Sequence, residues 1–247
     1  MSQLFTWENA GALITLIALE ITLGIDNIVF IAIITGRLPE KIRNQARRIG
    51  LIGAMGTRVV LLLGIAWVMR LVQPLFSVMG HAVSGRDLIL IIGGLFLVGK
   101  ATFEIHDKIE GPPEHHAGAA HEAANFRGAV VQIMILDIIF SLDSVITAVG
   151  MSSSIPVMVA AIVAAVGVMM FFAGSVSDFI EHHPTMKMLA LSFLILIGVV
   201  LVAEGFGRHI PRGYIYFSMA FSLLVEMLNI RVRKIETVAK PREMGAR

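Results

Sequence analysis

The sequence predicts an all-α, polytopic membrane protein of seven transmembrane helices, six forming an inverted 3+3 repeat and the seventh appended at the C-terminal end. Three observations predict it. The chain is 56% hydrophobic and 15% charged, with a mean hydropathy of +0.82, too apolar for a water-soluble domain. Its apolar residues come in long runs instead of alternating faces. Two of those runs carry one motif 117 positions apart: Leu-Glu-Ile-Thr-Leu-Gly-Ile-Asp-Asn over 19–27 and Leu-Asp-Ile-Ile-Phe-Ser-Leu-Asp-Ser over 136–144.

A bilayer core takes about 20 helical residues to cross. The first run, 10–34, follows a segment with Glu8 and no Lys or Arg, so the basic start of a cleavable signal peptide is missing and this helix is expected to stay in the mature protein. The second, 49–69, holds Arg58 near its centre, and the third, 87–104, is short and carries Lys100 near one end. A histidine-rich link over 105–127 leads to the fourth run, 128–150, which contains the second motif. The fifth is 155–176; the sixth, 187–203, is short and borders Glu204; the seventh, 213–230, precedes a basic tail over 231–247. The whole chain, 1–247, reads as one transmembrane domain, with repeat one over 10–104 and repeat two over 128–204.

Basic residues set the orientation. With the N-terminus outside, Arg37, Lys41, Arg43, Arg47, Arg48, Lys108, Arg127, Lys187, Arg231, Arg233, Lys234, Lys240, Arg242 and Arg247 are cytoplasmic, against Arg70, Arg86, Arg208 and Arg212 outside. The C-terminus is then cytoplasmic. These basic residues flank membrane spans, so the net charge of +2 does not point to nucleic acid. Cysteine is absent, which excludes disulfides and thiolate metal sites.

The repeat extends beyond the motif. Gly94–Lys100 (Gly-Leu-Phe-Leu-Val-Gly-Lys) resembles Gly198–Glu204 (Gly-Val-Val-Leu-Val-Ala-Glu) at an offset of 104. A three-span unit is odd, so its duplicate enters the membrane from the opposite side. Inverted repeats of this kind place a binding site near the midplane, where the units meet.

The motif puts four acids in apolar helices: Glu20 matches Asp137, and Asp26 matches Asp143. Charge in hydrocarbon costs several kcal/mol per group and marks an ion or proton path. Asn27 shares a face with Glu20, and Ser144 with Asp137, while Asp26 and Asp143 lie about 120° from their partner acids on regular helices. One four-carboxylate site therefore needs a distorted turn at Gly24 or Ser141; two regular helices argue for separate sites or a proton relay. Carboxylate, amide and hydroxyl oxygens suit manganese, magnesium or calcium better than copper or zinc. The alternative is that the acids pair with Arg58 and polar neighbours to hold the helices together. Arg58 is expected to be a counter-ion, fixed or occupying the site once the cation has left. Lys100 and Glu204 read as residues reaching for the interface, with gating as the sharper alternative. His106, His115, His116 and His121 form a possible cytoplasmic metal-capture loop or a solvated linker. Neither a His-Glu-x-x-His nor a Walker sequence occurs, so no enzyme is expected. Glycines such as Gly50, Gly53 and Gly56 could support close packing within a protomer or in a homo-oligomer.

The extended motifs, Leu19–Phe30 and Ile135–Ile146, resemble the TerC family of integral membrane proteins. The resemblance implies a bacterial inner-membrane exporter of divalent cations, manganese above all, with no permanently bound cofactor. It carries Glu20, Asp26, Asn27, Asp137, Asp143 and Ser144 over as metal-binding residues. Proton-coupled export of an anion such as tellurite or of a small organic solute is the second reading, and a non-transporting partner of secretion or metalation machinery the third. The residues alone reach a cation or proton site at a repeat interface.

Overall fold

The computed structural model describes residues 7–78, 81–111, 119–151 and 154–239, with the side chains of 7–9, 25, 26, 78, 81, 119–124 and 233–239 outside that description. Eight helices account for most of it: α1 (Trp7–Thr35), α2 (Glu40–Leu63), α3 (Ile65–Leu71), α4 (Gly85–Glu110), α5 (Ala119–Met151), α6 (Ile155–His182), α7 (Pro184–Gly205) and α8 (Arg212–Ala239). Six are long and apolar enough to cross a membrane, and α2 with α3 makes a seventh only as a bent pair.

The structure departs from the expected elements in several places: α2 begins at Glu40, helix enters the link expected over 105–127 because α4 runs to Glu110 and α5 starts at Ala119, and the second span and the segment after it differ. The span expected over 49–69 turns by 82° at Gly64. The hydrogen-bond ladder runs through that glycine: its N–H donates to the Val60 carbonyl at 2.8 Å, and its carbonyl accepts from the N–H groups of Trp67 at 2.8 Å and Val68 at 3.1 Å. A residue without a side chain lets the axis turn there. Beyond α3 the chain forms an antiparallel hairpin, β1 (Pro74–Val78) against β2 (His81–Ser84), which the apolar-run reading passed over. Ser84 then opens α4 with a capping box: its hydroxyl accepts from the Asp87 N–H, and the Asp87 carboxylate accepts from the Ser84 N–H at 2.9 Å.

Helices pair as α1 with α6, α2 with α5, and α4 with α7, while α8 lies on α7. Exchanging α1, α2 and α4 for α5, α6 and α7 maps this pairing onto itself. Burial follows the same exchange. At the 117 offset, Leu16, Glu20, Gly24, Asn27 and Ile31 are buried, and so are Ile133, Asp137, Ser141, Ser144 and Ala148. At the 104 offset, Leu90, Gly93, Gly94, Leu97 and Ala101 match Leu194, Ile197, Gly198, Leu201 and Gly205. In α2 and α6, Ala46, Gly50, Leu51, Ala54, Arg58 and Leu62 match Val157, Ala161, Ile162, Ala165, Met169 and Ala173 at another constant offset.

The α4–α7 crossing shows why glycine is used there. A Cβ on Gly94 would stand 2.5 Å from the Gly198 carbonyl oxygen and 2.8 Å from Val202; one on Gly198 would stand 2.8 Å from the Gly94 carbonyl oxygen and from Val98. The backbones touch, as small residues at membrane-helix interfaces allow. Outside this packed interior the polarity of a soluble protein is inverted. Phe171 is 79% exposed and Phe217 72%, whereas Glu20 and Arg58 are each 2% exposed.

Gly94→Ala should destabilise the protein by about 1–3 kcal/mol, because backbone is the obstacle and cannot rotate away. Gly99→Ala, where a Cβ meets nothing within 4 Å, should leave stability unchanged. Thermal unfolding of the two variants in detergent checks this.

Candidate functional site

Regular helix geometry places Glu20, Gly24 and Asn27 on one face of α1, and Asp137, Ser141 and Ser144 on one face of α5. Both helices continue unbroken through Gly24 and Ser141. The distorted turn needed for a single four-carboxylate site is absent.

Arg58 of α2 reaches between the two faces. Its Nη1 bonds Glu20, while Nη2 donates to Asp137 Oδ1 at 2.7 Å and Nε to Oδ1 and Oδ2 at 3.0 and 3.2 Å. Asn27 Nδ2 donates to Asp137 Oδ1 at 3.2 Å, and Ser141 Oγ to Oδ2 at 3.1 Å. Thr57 Oγ1 approaches Oδ2 at 3.4 Å but has one proton and a closer acceptor, the Ala54 carbonyl at 2.8 Å. Ser144 Oγ turns to the Ser141 carbonyl at 3.2 Å. Two carboxylates and one guanidinium leave the ionised cluster with one negative charge in excess. All three groups are buried.

Asp143 belongs to a different cluster. Arg86 Nη2 donates to its Oδ1 at 2.7 Å, and Arg212 Nη2 bonds its Oδ2. Arg58, Ser144, Asp143, Glu204 and Arg212 line one cavity of about 60 Å³. A second, of about 10 Å³, is lined by Arg58, Asn27, Asp137 and Met169. Arg58 thus stands between the two. At the other end of α4, Arg37 bonds Glu104, and its Nη2 donates to Asp107 at 3.0 Å; Arg37, Lys100 and Glu104 line a further cavity of about 30 Å³.

The side chains of Asp26 and His121, and the whole of His115 and His116, lie outside the described residues. His106 makes an exposed 3.3 Å contact with Glu110 one turn away. Among the described residues no group of three or more His, Cys, Asp or Glu could hold a metal ion. Sequence reading missed Arg86 and Arg212 as partners of Asp143, because both had been assigned to loops. It also missed Met169, which the constant α2–α6 offset aligns with Arg58.

A bundle with an apolar exterior and charge locked inside is a polytopic integral membrane protein with intramembrane ionisable groups. The model of the Integral membrane protein TerC family matches residues 5–241, and this chain belongs to that family. It is 56% identical over 236 residues to a UPF0053 protein of Haemophilus influenzae, covering 94% of this chain and 99% of that one. It is 57% identical over 232 residues to the UPF0053 inner membrane protein YgdQ of Escherichia coli, covering 92% and 97%. The E. coli UPF0053 inner membrane protein YoaE is 50% identical over 224 residues, 91% of this chain but 43% of that longer protein. No solved structure matches the chain.

Arg58→Met should cost about 3–5 kcal/mol, since it strands two buried carboxylates. Combining it with Glu20→Gln and Asp137→Asn should recover most of that loss. Thermal unfolding of the single and triple variants measures both effects.

Proposed function

We propose that this chain is a bacterial inner-membrane transporter that exports a divalent cation, manganese by family resemblance, through alternating access between two inverted three-span units. In this reading the bent α2–α3 pair completes seven spans, and the N-terminus is outside. One observation carries it: equivalent acids of the two units, Glu20 and Asp137, close on a single buried cation, the Arg58 guanidinium. Two carboxylates match the charge of a divalent ion. When the ion is bound, Arg58 leaves the acids; when the ion has gone, Arg58 and one proton restore neutrality, so export is coupled to proton return. Asn27 and Ser141 already bond Asp137 and supply further oxygens. Asp143 and Glu204 line the cavity that runs from Arg58 toward Arg212 and serve the exit path. Export of an anion draws less support, because carboxylates already engage Nε, Nη1 and Nη2 of Arg58. No enzymatic step or resident cofactor enters this proposal.

Cells lacking the protein should accumulate manganese, and Glu20→Gln, Asp137→Asn and Asp143→Asn should fail to restore efflux at wild-type protein levels. Arg58→Ala should slow export more than it lowers protein abundance. Cellular manganese by elemental analysis, and manganese flux in proteoliposomes holding the purified protein, check these outcomes. Normal manganese content in the deletion strain overturns the proposal.

A further inference from the structure

Met169 occupies in α6 the place that Arg58 occupies in α2. Both belong to the matching buried sets of those helices, and both line the small cavity shared with Asn27 and Asp137. The Met169 thioether lies flush against α1. A Cβ added to Gly24 would stand 2.4 Å from its Sδ, so only glycine admits the sulfur at that depth. Gly24 follows Glu20 by four residues and precedes Asn27 by three, so all three lie on one helix face. The sulfur therefore rests between the level of the Glu20 carboxylate and that of the Asn27 amide. Arg58 shows where this position points, since it bonds both acids.

Resting on the cation-export reading above, we propose that Met169 is a ligand of the transported ion and sets its class, a transition-metal divalent cation in preference to Mg²⁺ or Ca²⁺. The carboxylate, amide and hydroxyl groups around Asp137 form a hard oxygen set that would also admit Mg²⁺ and Ca²⁺. A thioether discriminates. It is neutral and polarisable, adds little for those two ions, and bonds softer divalent ions more strongly. Packing alone does not require this arrangement, because Leu would fill a purely apolar notch without placing a sulfur at the polar face. Gly24 and Met169 together bring a soft donor to a centre that otherwise offers oxygen.

The test measures binding of Cd²⁺, Mn²⁺, Ca²⁺ and Mg²⁺ to purified full-length protein by calorimetry, with cadmium K-edge absorption to identify the bound atoms. The wild type should bind Cd²⁺ and Mn²⁺ in an excess of Ca²⁺ or Mg²⁺. Met169→Leu should weaken Cd²⁺ binding about tenfold or more and Mn²⁺ less, leaving Ca²⁺ and Mg²⁺ unchanged. Met169→Cys, which keeps a sulfur donor, should retain the Cd²⁺ preference. Because the chain has no cysteine, sulfur in the wild-type cadmium shell is methionine sulfur. That signal should vanish in Met169→Leu. Should Met169→Leu not fold, the wild-type spectrum together with Gly24→Ala, whose Cβ displaces the sulfur, decides. An oxygen- and nitrogen-only shell in the wild type, or a Cd²⁺ over Ca²⁺ preference unchanged within about twofold in Met169→Leu, overturns the assignment while leaving cation export standing. A wild type that binds no divalent cation overturns both.

Discussion

Arg58 holds acids from two helices that belong to different halves of the chain, and the geometry of the interior follows from that. A guanidinium in a low-dielectric interior must find carboxylates close by, so α1, α2 and α5 are brought to one point. Asp137 accepts from Arg58, Asn27 and Ser141, which fixes the rotation of α1 and α5 as well as their separation. Well-packed apolar side chains could join three helices with comparable stability, so stability alone does not account for the cluster. Its residual negative charge is the feature an apolar core would lack, and that charge calls for a further proton or cation.

The two halves agree in packing and differ in chemistry. Buried positions repeat through all three helix pairs, and the α4–α7 crossing is reciprocal, Gly94 on Gly198 and Gly198 on Gly94. Where polar side chains meet, the repeat diverges: Arg58 stands against Met169, Ser141 against Gly24, and Ser144 against Asn27. A fully symmetric centre would bring two arginines to two acids and leave no net charge. Replacing one of them by a thioether keeps the centre anionic.

Much of this was legible in the sequence, and the losses have physical causes. Apolar runs located every long helix because the bilayer sets a minimum length. They missed the start of α2, where Glu40 to Arg48 form a polar amphipathic stretch, and they missed the β1–β2 hairpin, which is too short to register as a run. The motif matched Glu20 with Asp137, and both bond Arg58; Asp143, about 120° from their face on a regular helix, bonds Arg86 and Arg212 instead. Its partners were not legible. Arg86 and Arg212 sit at the starts of α4 and α8, and only the fold brings those helix ends to the middle of α5's last turns. Gly24 was one of two positions, with Ser141, where a single four-carboxylate site needed a distorted turn, but a glycine in a run of apolar residues does not say whether it bends its own helix or receives a neighbour's side chain.

Ion pairs at three levels divide the interior. Arg37 with Glu104 and Asp107 lies toward the C-terminal end of α4, and Arg86 with Asp143 and Arg212 lies at its N-terminal end. About 27 Å of helix separates Arg86 from Glu104, close to the hydrocarbon thickness, with the Glu20–Arg58–Asp137 cluster between. The end pairs are partly exposed and the central one is buried, so water can compete for the outer partners and cannot for the inner ones. Opening an end therefore costs little, whereas releasing Arg58 requires a replacement positive charge at the same moment. In the proposed export cycle, an ion that displaces Arg58 supplies that charge only when it reaches the carboxylates. On that proposal central exchange is tied to occupancy, while the ends open without it.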